Sequence, residues 1–434
     1  MSSWVDDPEP CSIPHLSANR SSTEVSGDPL LLDSTDGVAA LIDKSLLQQA
    51  EGLHGEPRIT MLETIHEYAL ERLAELGEED AIRWRHAEYY LALGEAAESY
   101  LYGSEQDTYL ARLEMEHDNL RAVLEWSQTF GALELGVRLA GALWHFWELH
   151  GHFTEGRRWL QKVLETSSTL GAERAKVLTG VGTIAWCQGD YAQAALFHEQ
   201  ALALYQALED RRGIAFSLNN LGMQAFAQED TARAMALIEE SLMLYRQLED
   251  KQGISLGLSN LGEAARGQGD YARAAVLYQE SLALRQEQGD KGNIAASLHN
   301  LGIVAREQGD YQQAEALFKE SLILFRVVGY RWGIVAGLAE WAELANAKGQ
   351  VKRAVRLFGA TDSLYEVIGA HAEPAARVRY ERAMAAARVQ LGETAFAAPW
   401  AEGRAMTLEQ AIAYALETDQ GTEVLRKEQT GKIT

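Results

Sequence analysis

Proline is scarce in this sequence, and its distribution is the first clue to the fold. The 434 residues include 7 prolines, and none lies between Pro57 and Pro374. Proline lacks a backbone N–H and disrupts helix interiors, so this long proline-free stretch favours continuous helices. The hydrophobic content of 47% is ample for a core, and the length allows two or three ordinary domains or one long repeat array.

Cysteine and long apolar runs are also in short supply. The two cysteines, Cys11 and Cys187, are far apart, so a disulfide framework is not expected and a cytoplasmic location fits. No run of about 18 apolar residues occurs, so the sequence predicts no membrane span. The N-terminus carries Asp6, Asp7 and Glu9 and no apolar run, unlike a secretory signal.

Positive charge is in deficit. Lysine and arginine total 39 against 63 aspartates and glutamates, which gives a formal net charge of −24. Proteins that bind nucleic acid neutralise phosphates with basic patches, and no basic run is visible here. We therefore expect no direct nucleic-acid binding and interpret the acidity as a source of solubility.

Sequence patterns typical of catalysis and cofactor binding are missing as well. No G-x-x-x-x-G-K-[ST] phosphate loop occurs. His145, His150 and His152 are separated by five and two residues, which does not put two ligands on one helix face, and no cysteine or carboxylate cluster completes a zinc set. We predict no enzyme activity, catalytic residue, cofactor or metal; a hydrolase hidden among the helices is the disfavoured alternative.

What the sequence does contain is a pattern that recurs at a constant interval. Self-similarity at a fixed period indicates a stacked repeat protein, and such arrays present long surfaces to partners. The copies are Gly189-Asp190-Tyr191, Glu229-Asp230-Thr231, Gly269-Asp270-Tyr271, Gly309-Asp310-Tyr311 and the weaker Gly349-Gln350-Val351.

Each repeat reads as two helices. In the copy from Arg211 to Leu248, Asp210 and Asp230 are good N-caps for a first and a second helix. The pair makes a helical hairpin, and we predict an all-α, right-handed solenoid of such pairs. The first helix carries one apolar stripe, with spacings of four, three and four residues: Ile214, Leu218, Leu221 and Ala225.

Glycines recur in the middle of the first helices, where glycine costs up to about 1 kcal/mol relative to alanine. A recurring cost needs a recurring reason, and we expect close approach of the two helices of a hairpin. The glycines are Gly182, Gly222, Gly262 and Gly302, and the small partners expected on the facing helices are Ala194, Ala234, Ala274, Ala314 and Ala354.

These features resemble the tetratricopeptide repeat across residues 171–370. Leu221-Gly222, the Gly-Asp-Tyr turn and Ala234 occupy signature positions of that family. Its usual repeat is about 34 residues long. The copies here start 40 residues apart (229 − 189), and the six extra residues resemble the longer variant with an asparagine before Leu-Gly, found at Asn220, Asn260 and Asn300.

Residues 31–78 differ in kind. A helix from Asp36 to Lys44 is followed by a possible strand at Ser45-Leu46-Leu47, a turn from Gly52 to Gly55, a second strand from Arg58 to Met61, and a helix from Glu63 to Leu76. Helix, strand, turn, strand and helix in this order resemble the closing part of a winged helix.

A wider resemblance, over roughly residues 31–418, is to bacterial signalling ATPases of the maltose-regulon-activator type. These regulators join a nucleotide-switch domain, a winged helix and tetratricopeptide repeats. This sequence lacks the nucleotide domain and a C-terminal DNA reader, and it has Leu62 where the family's Met-His-Asp motif has its sensing histidine. The resemblance lies in Lys44–Leu47, Met61–Ala69, Glu116–Arg121 and Trp400–Glu409.

The sequence therefore divides into six parts. Thr407 and Gln410 form a capping-box pattern before a last helix from Leu408 to Glu417. The disordered leader predicted for residues 1–30 is alternatively the product of a mis-called gene start. The parts are a disordered leader (1–30), a winged-helix-like remnant (31–78), divergent helical repeats (79–170), the tetratricopeptide array (171–370), a C-terminal helical cap (371–418) and a polar tail (419–434).

The function predicted for this chain is non-enzymatic. We interpret it as a protein-interaction or effector-sensing array, the sensor part of a bacterial regulator; a free-standing adaptor unrelated to transcription is the alternative. Its partner would be a protein or peptide, or a small-molecule effector, held in the concave groove. An ordinary solvated wall explains the variable groove positions equally well; these are Asn219, Met223, Phe226, Ser259, Glu263, Arg266, His299, Ile303 and Arg306.

Overall fold

The computed structural model describes residues 34–417, except 53, 54, 56, 167–170 and 373. The chain forms two compact units, divided between Gly77 and Glu78. The predicted leader (1–30) and polar tail (419–434) lie outside the described residues. Among the helices that are described, none is long and apolar enough to cross a membrane.

The first unit contains a two-stranded antiparallel sheet between two helices. Its order is α1 (Ser34–Asp43), β1 (Leu47–Glu51), β2 (Pro57–Met61) and α2 (Glu63–Leu76), and the register pairs Leu47 with Met61. The predicted order is confirmed, but β1 begins at Leu47, later than expected. Ser45 has a positive φ of 58°, and this left-handed turn ends α1 before the strand can start.

The second unit is helical in all of its described elements and follows the predicted solenoid of helix pairs. Its helices are α3 (Glu79–Tyr100), α4 (Gln106–Met115), α5 (His117–Thr129), α6 (Leu133–His150), α7 (Phe153–Thr166), α8 (Ala172–Cys187), α9 (Tyr191–Ala207), α10 (Arg211–Ala227), α11 (Thr231–Gln247), α12 (Lys251–Gly267), α13 (Tyr271–Gln288), α14 (Lys291–Glu307), α15 (Tyr311–Val328), α16 (Arg331–Ala347), α17 (Val351–Ile368), α18 (Pro374–Leu391), α19 (Glu393–Arg404) and α20 (Leu408–Leu416).

Aspartate side chains begin the helices of the array, as predicted. The predicted capping box of Thr407 and Gln410 is also present at the start of α20. Each capping carboxylate accepts an otherwise unpaired backbone N–H of the first turn, so the regular spacing of the aspartates sets the spacing of the helices. The aspartates are Asp190, Asp210, Asp230, Asp250, Asp270, Asp290 and Asp310.

The mid-helix glycines mark close approach within each hairpin. A Cβ on Gly222 would lie 2.6 Å from Ile238 Cγ1, and one on Gly302 would lie 2.6 Å from Phe318. Gly182 and Gly262 meet His198 and Tyr278 in the same way. The expected close approach is confirmed, but the main contact is a large side chain of the facing helix. The predicted alanines, one turn earlier on that helix, are buried beside it because only a small residue fits there.

The first and last parts of the second unit contact each other. The backbone N–H of Gly292 donates to Gln106 Oε1 at 3.1 Å, and Lys291 Nζ lies 2.7 Å from Asp107 Oδ2. The backbone N–H of His371 donates to the carbonyl of Cys187 at 3.0 Å. We call this meeting of α4, α6 and α8 with α14, α16 and the end of α17 the seam. The seam places residues that are distant in sequence on opposite sides of the space enclosed by these helices.

The turn at Glu229 provides a first prediction. Glu229 has a φ of +64°, whereas the equivalent Gly269 has a φ of +80°. Only glycine adopts this conformation without strain. We expect Glu229→Gly to raise the free energy of unfolding by about 1 kcal/mol in urea titrations. Gly269→Ala meets no atom within 4 Å and should lower it by a similar amount; two unchanged values would contradict the backbone argument.

Buried His198 makes the stability depend on pH. Its side chain is 1% exposed, and burial lowers its pKa from 6.5 to about 4. Protonation therefore favours the unfolded chain, so the stability is complete above pH 6.5 and is lost progressively as the pH falls from 6.5 to 4. We expect His198→Ile, which copies Ile238 of the next repeat, to reduce the stability lost between pH 7 and pH 5 by about 2 kcal/mol. Equal losses in urea titrations of both proteins would contradict this.

Candidate functional site

A cavity of about 520 Å³ lies on the inner side of the second unit. We call it the inner cavity. Side chains from α3, α6, α8 to α14 and α16 line it, together with residues of the connecting turns. Cavities of this size are typical of small-ligand sites. Its position means that no single repeat builds it, because opposite walls come from helices far apart in the chain.

The walls combine aromatic rings with charged groups that are mostly paired. Lys176 Nζ lies 2.8 Å from Glu98 Oε2, and Arg212 Nε lies 2.7 Å from Asp250 Oδ2. Each pair is close to neutral as a unit. The aromatic lining consists of Tyr102, Trp144, Trp186, Tyr205, Phe216, Tyr245, Tyr330 and Trp332.

Several polar atoms of the lining are buried and lack a hydrogen-bond partner within the described residues. Buried polar groups in native proteins are nearly always paired with protein, water or ligand. Most of these atoms are donors, so together they favour a ligand that carries acceptor oxygens. They are His198 Nδ1, Asn219 Nδ2, Asn220 Nδ2, Gln224 Nε2 and Oε1, and Arg285 Nε.

Arg285 departs from the pattern of its own repeat position. The same position holds Tyr205, Tyr245 and Phe325 in the other copies, each packed against a glycine at the start of the next hairpin. In the Arg285 copy that glycine is replaced by Asn293. Arg285 Nη1 donates to the carbonyl of Asn293 at 3.0 Å and to Ser297 Oγ at 2.8 Å. A position that holds a packed aromatic side chain in the other copies thus holds a buried cation in this one.

The charge of Arg285 has no ion-pair partner among the described residues. The residue is 3% exposed, and burial lowers the pKa of its guanidinium to about 10, against the opposing effect of Asp290. It therefore remains protonated at neutral pH. Within the described part of the chain, no carboxylate lies in ion-pair contact with it. A buried cation without a partner is costly, and an anionic ligand group would remove that cost.

The nine predicted groove residues lie in three places. Asn219 and Met223 line the inner cavity, and Asn219 Oδ1 accepts a hydrogen bond from Asn260 Nδ2 at 3.0 Å. Phe226 packs on Gly267 of the next repeat. The other six lie on α12 and α14, near a buried charge cluster: Ser259, Glu263, Arg266, His299, Ile303 and Arg306.

The charge cluster joins three repeats and α18. Arg266 forms an ion pair with Glu263, whose Oε2 also accepts from Tyr278 at 3.0 Å. Glu340 lies 3.0 Å from Arg306 and 2.9 Å from Arg379 on α18. Burial alone would raise the pKa of Glu340, but the two arginines outweigh burial and hold it at about 2. The basic groups expected to face a partner are therefore neutralised by the protein itself.

Sequence reasoning missed most of the cavity. The substitution of Arg285 and Asn293 for an aromatic–glycine pair was a usable signal, because it breaks a pattern seen in three other copies. Glu98, Tyr102 and Trp144 carried no such signal. They enter the cavity only because α3 and α6 lie opposite α10 and α12.

The charge cluster predicts a stability effect. Arg306→Ala leaves Glu340 buried beside one fewer cation, and we expect a loss of about 3 kcal/mol in the free energy of unfolding, measured by urea titration. The double variant Arg306→Leu, Glu340→Leu removes both charges and should recover much of that loss. An alanine variant as stable as the wild type would show that the pair is not needed.

Comparison with known proteins agrees with this architecture. A family model described as "Tetratricopeptide repeat" matches residues 173–247, 213–287 and 253–326. Proteins named as HTH-type transcriptional regulators in Mycobacterium tuberculosis and Mycobacterium bovis are 37% identical over 130 residues. That match covers 30% of this chain and 14% of each relative, so the chain spans a small part of their length.

Two solved structures show a similar succession of helices. A Rap protein complexed with Competence and Sporulation Factor is 14% identical, with a TM-score of 0.49 over 75% of this chain and 99% of that one. NprR in complex with its cognate peptide NprX is 14% identical, with a TM-score of 0.48 over 76% and 98%. The family model by itself identifies residues 173–326 as tetratricopeptide repeats, and the chain is homologous over 130 residues to proteins named as transcriptional regulators.

Proposed function

We propose that residues 78–417 are the sensor region of a bacterial transcriptional or signalling regulator. The inner cavity takes up a short peptide or small effector that carries a carboxylate. Arg285 is the observation that carries this proposal: a buried guanidinium in an aromatic position, without an ion-pair partner in the described residues. The names of the mycobacterial relatives support the regulatory role.

The lining determines what kind of ligand is favoured. Lys176 and Arg212 are already paired with Glu98 and Asp250, so Arg285 supplies the available positive charge. The amides of Asn220 and Gln224 add unpaired donors to the same lining. Aromatic rings such as Trp144 and Trp332 offer apolar contact area. A ligand with a carboxylate at one end and an apolar body would match the cation, the amide donors and the aromatic rings together.

The first unit supports the same role. Its helix, antiparallel hairpin and helix match the element order of the closing part of a winged helix, which links nucleotide switch and repeats in the regulators this chain resembles. Leu62 and Glu63 replace the polar pair that senses nucleotide there. We therefore propose signalling through a protein partner in the cytoplasm, with no nucleotide bound by these residues.

The double variant Arg285→Tyr, Asn293→Gly tests the proposal. It installs the aromatic–glycine pair of the neighbouring repeats, so the variant should fold and melt no lower than the wild type. The probe is a library of short synthetic peptides in free-acid and C-terminally amidated forms. We expect free acids to raise the melting temperature of the wild type, amidated forms to do so at least tenfold less potently, and the variant to respond to neither.

Two results would contradict the proposal. Equal response to acid and amide would remove the carboxylate from the ligand class. Unchanged binding by the double variant would remove Arg285 from the site. Ser241→Ala is a matched structural control, because Ser241 Oγ bonds the carbonyl of Ala215 at 2.6 Å within one hairpin and does not line the cavity.

A further inference from the structure

A second cluster of chemically reactive side chains lies on α4 and on the turn from α6 to α7. Glu114 Oε2 lies 3.0 Å from His150 Nδ1 and 2.8 Å from His152 Nε2. The three ligand atoms all lie within 4.8 Å of one another. None of these residues lines the inner cavity, and the array's protein-binding role does not account for them.

The turn explains how two histidines so close in sequence reach one carboxylate. Gly151 ends α6 with a φ of +74°, and the backbone N–H of His152 donates to the carbonyl of Trp147 at 2.8 Å. This reversal folds His152 back over the end of α6, where His150 lies, so the helical spacing that argued against paired ligands does not apply. A Cβ on Gly151 would lie 3.3 Å from Arg331 Cβ, so the turn is held firmly by α16 at the seam.

The surroundings support both rings. Phe146 is 0% exposed, and its centroid lies 5.3 Å from that of His150 and 5.6 Å from that of His152. The imidazoles are themselves mostly buried, with side chains 12% and 17% exposed, whereas Glu114 is 36% exposed. The two rings thus pack against the apolar Phe146 on one side, and an ion in solvent can reach the cluster at the Glu114 carboxylate.

We propose that Glu114, His150 and His152 bind a divalent transition metal ion, with Zn²⁺ as the best match. Two imidazoles and one carboxylate are donors that zinc accepts at about 2.0–2.2 Å. Tetrahedral ligands at that bond length are separated by about 3.3 Å, close to the observed spacing around Glu114. The ion takes the place of the hydrogen bonds between the two rings and the carboxylate, with each neutral ring carrying its proton on the nitrogen that does not bind the ion, and solvent supplies a fourth ligand.

A neighbouring triad is the weaker site. His117 Nε2 lies 3.2 Å from Glu155 Oε1, and the His117 ring lies 4.4 Å from that of His152. Arg121 contacts both oxygens of Glu155, so a metal there would have to displace a guanidinium. The cation beside Glu114 is held less tightly. Arg331 Nη2 lies 3.9 Å from Glu114 Oε1, and the Arg331 side chain is 42% exposed.

Metal titration of the full-length, tag-free protein tests the assignment. We expect one equivalent of ZnCl₂ to compete with a chromophoric chelator, and CoCl₂ to give visible absorption bands of a four- or five-coordinate ion. Glu114→Gln and His152→Ala should each weaken binding at least tenfold, since even residues supporting a metal ligand change affinity by about 10–100-fold. Zn²⁺ should raise the melting temperature of the wild type and of neither variant.

His145→Ala is the matched control. His145 Nδ1 contacts Glu148 Oε2 at 2.7 Å without a third ligand in the described residues, so its loss should leave Zn²⁺ affinity unchanged. Glu114→Gln keeps the shape of the side chain and carries the test if His152→Ala fails to fold. No stoichiometric binding at micromolar Zn²⁺, or equal affinity of Glu114→Gln and wild type, would overturn the proposal.

Discussion

The close approach of the two helices in each hairpin is the constraint on which the second unit depends. Gly222, Gly262 and Gly302 leave room for a large side chain of the facing helix, at distances that a Cβ would not allow. Each hairpin is therefore a compact unit in which the two helices cross each other in a fixed way. Because the units are alike and evenly spaced along the chain, the small rotation between neighbours accumulates along the array.

That accumulation produces the seam, and the seam produces both candidate sites. Gly292 contacts Gln106, and His371 contacts Cys187, so the early helices of the second unit are held against its later helices. The inner cavity lies within that interior. The histidine turn lies where α16 packs against the end of α6. Neither site belongs to a single repeat.

Charge within the array is used in two different ways. Arg306 and Arg379 share Glu340, and this cluster ties α14, α16 and α18 together while leaving no basic group free for a partner. Arg285 lies in a comparable environment but has no such carboxylate. The contrast separates a structural cation from a candidate binding cation more sharply than burial does, since the Arg306 side chain is also only 9% exposed.

The sequence by itself determined the helix pairs, their caps, the repeat period, the close-packed glycines and the order of elements in the first unit. All of these depend on contacts between near neighbours in the chain, which a local pattern records. Only the tertiary structure decided that Glu263, Arg266 and Arg306 lie at a charge cluster, that Glu114 reaches His150 and His152, and that Arg285 lines a cavity with Tyr102 and Trp144. The physical reason is that these contacts join side chains of different helices, and the pattern within one repeat does not record which side chains of other helices lie opposite it.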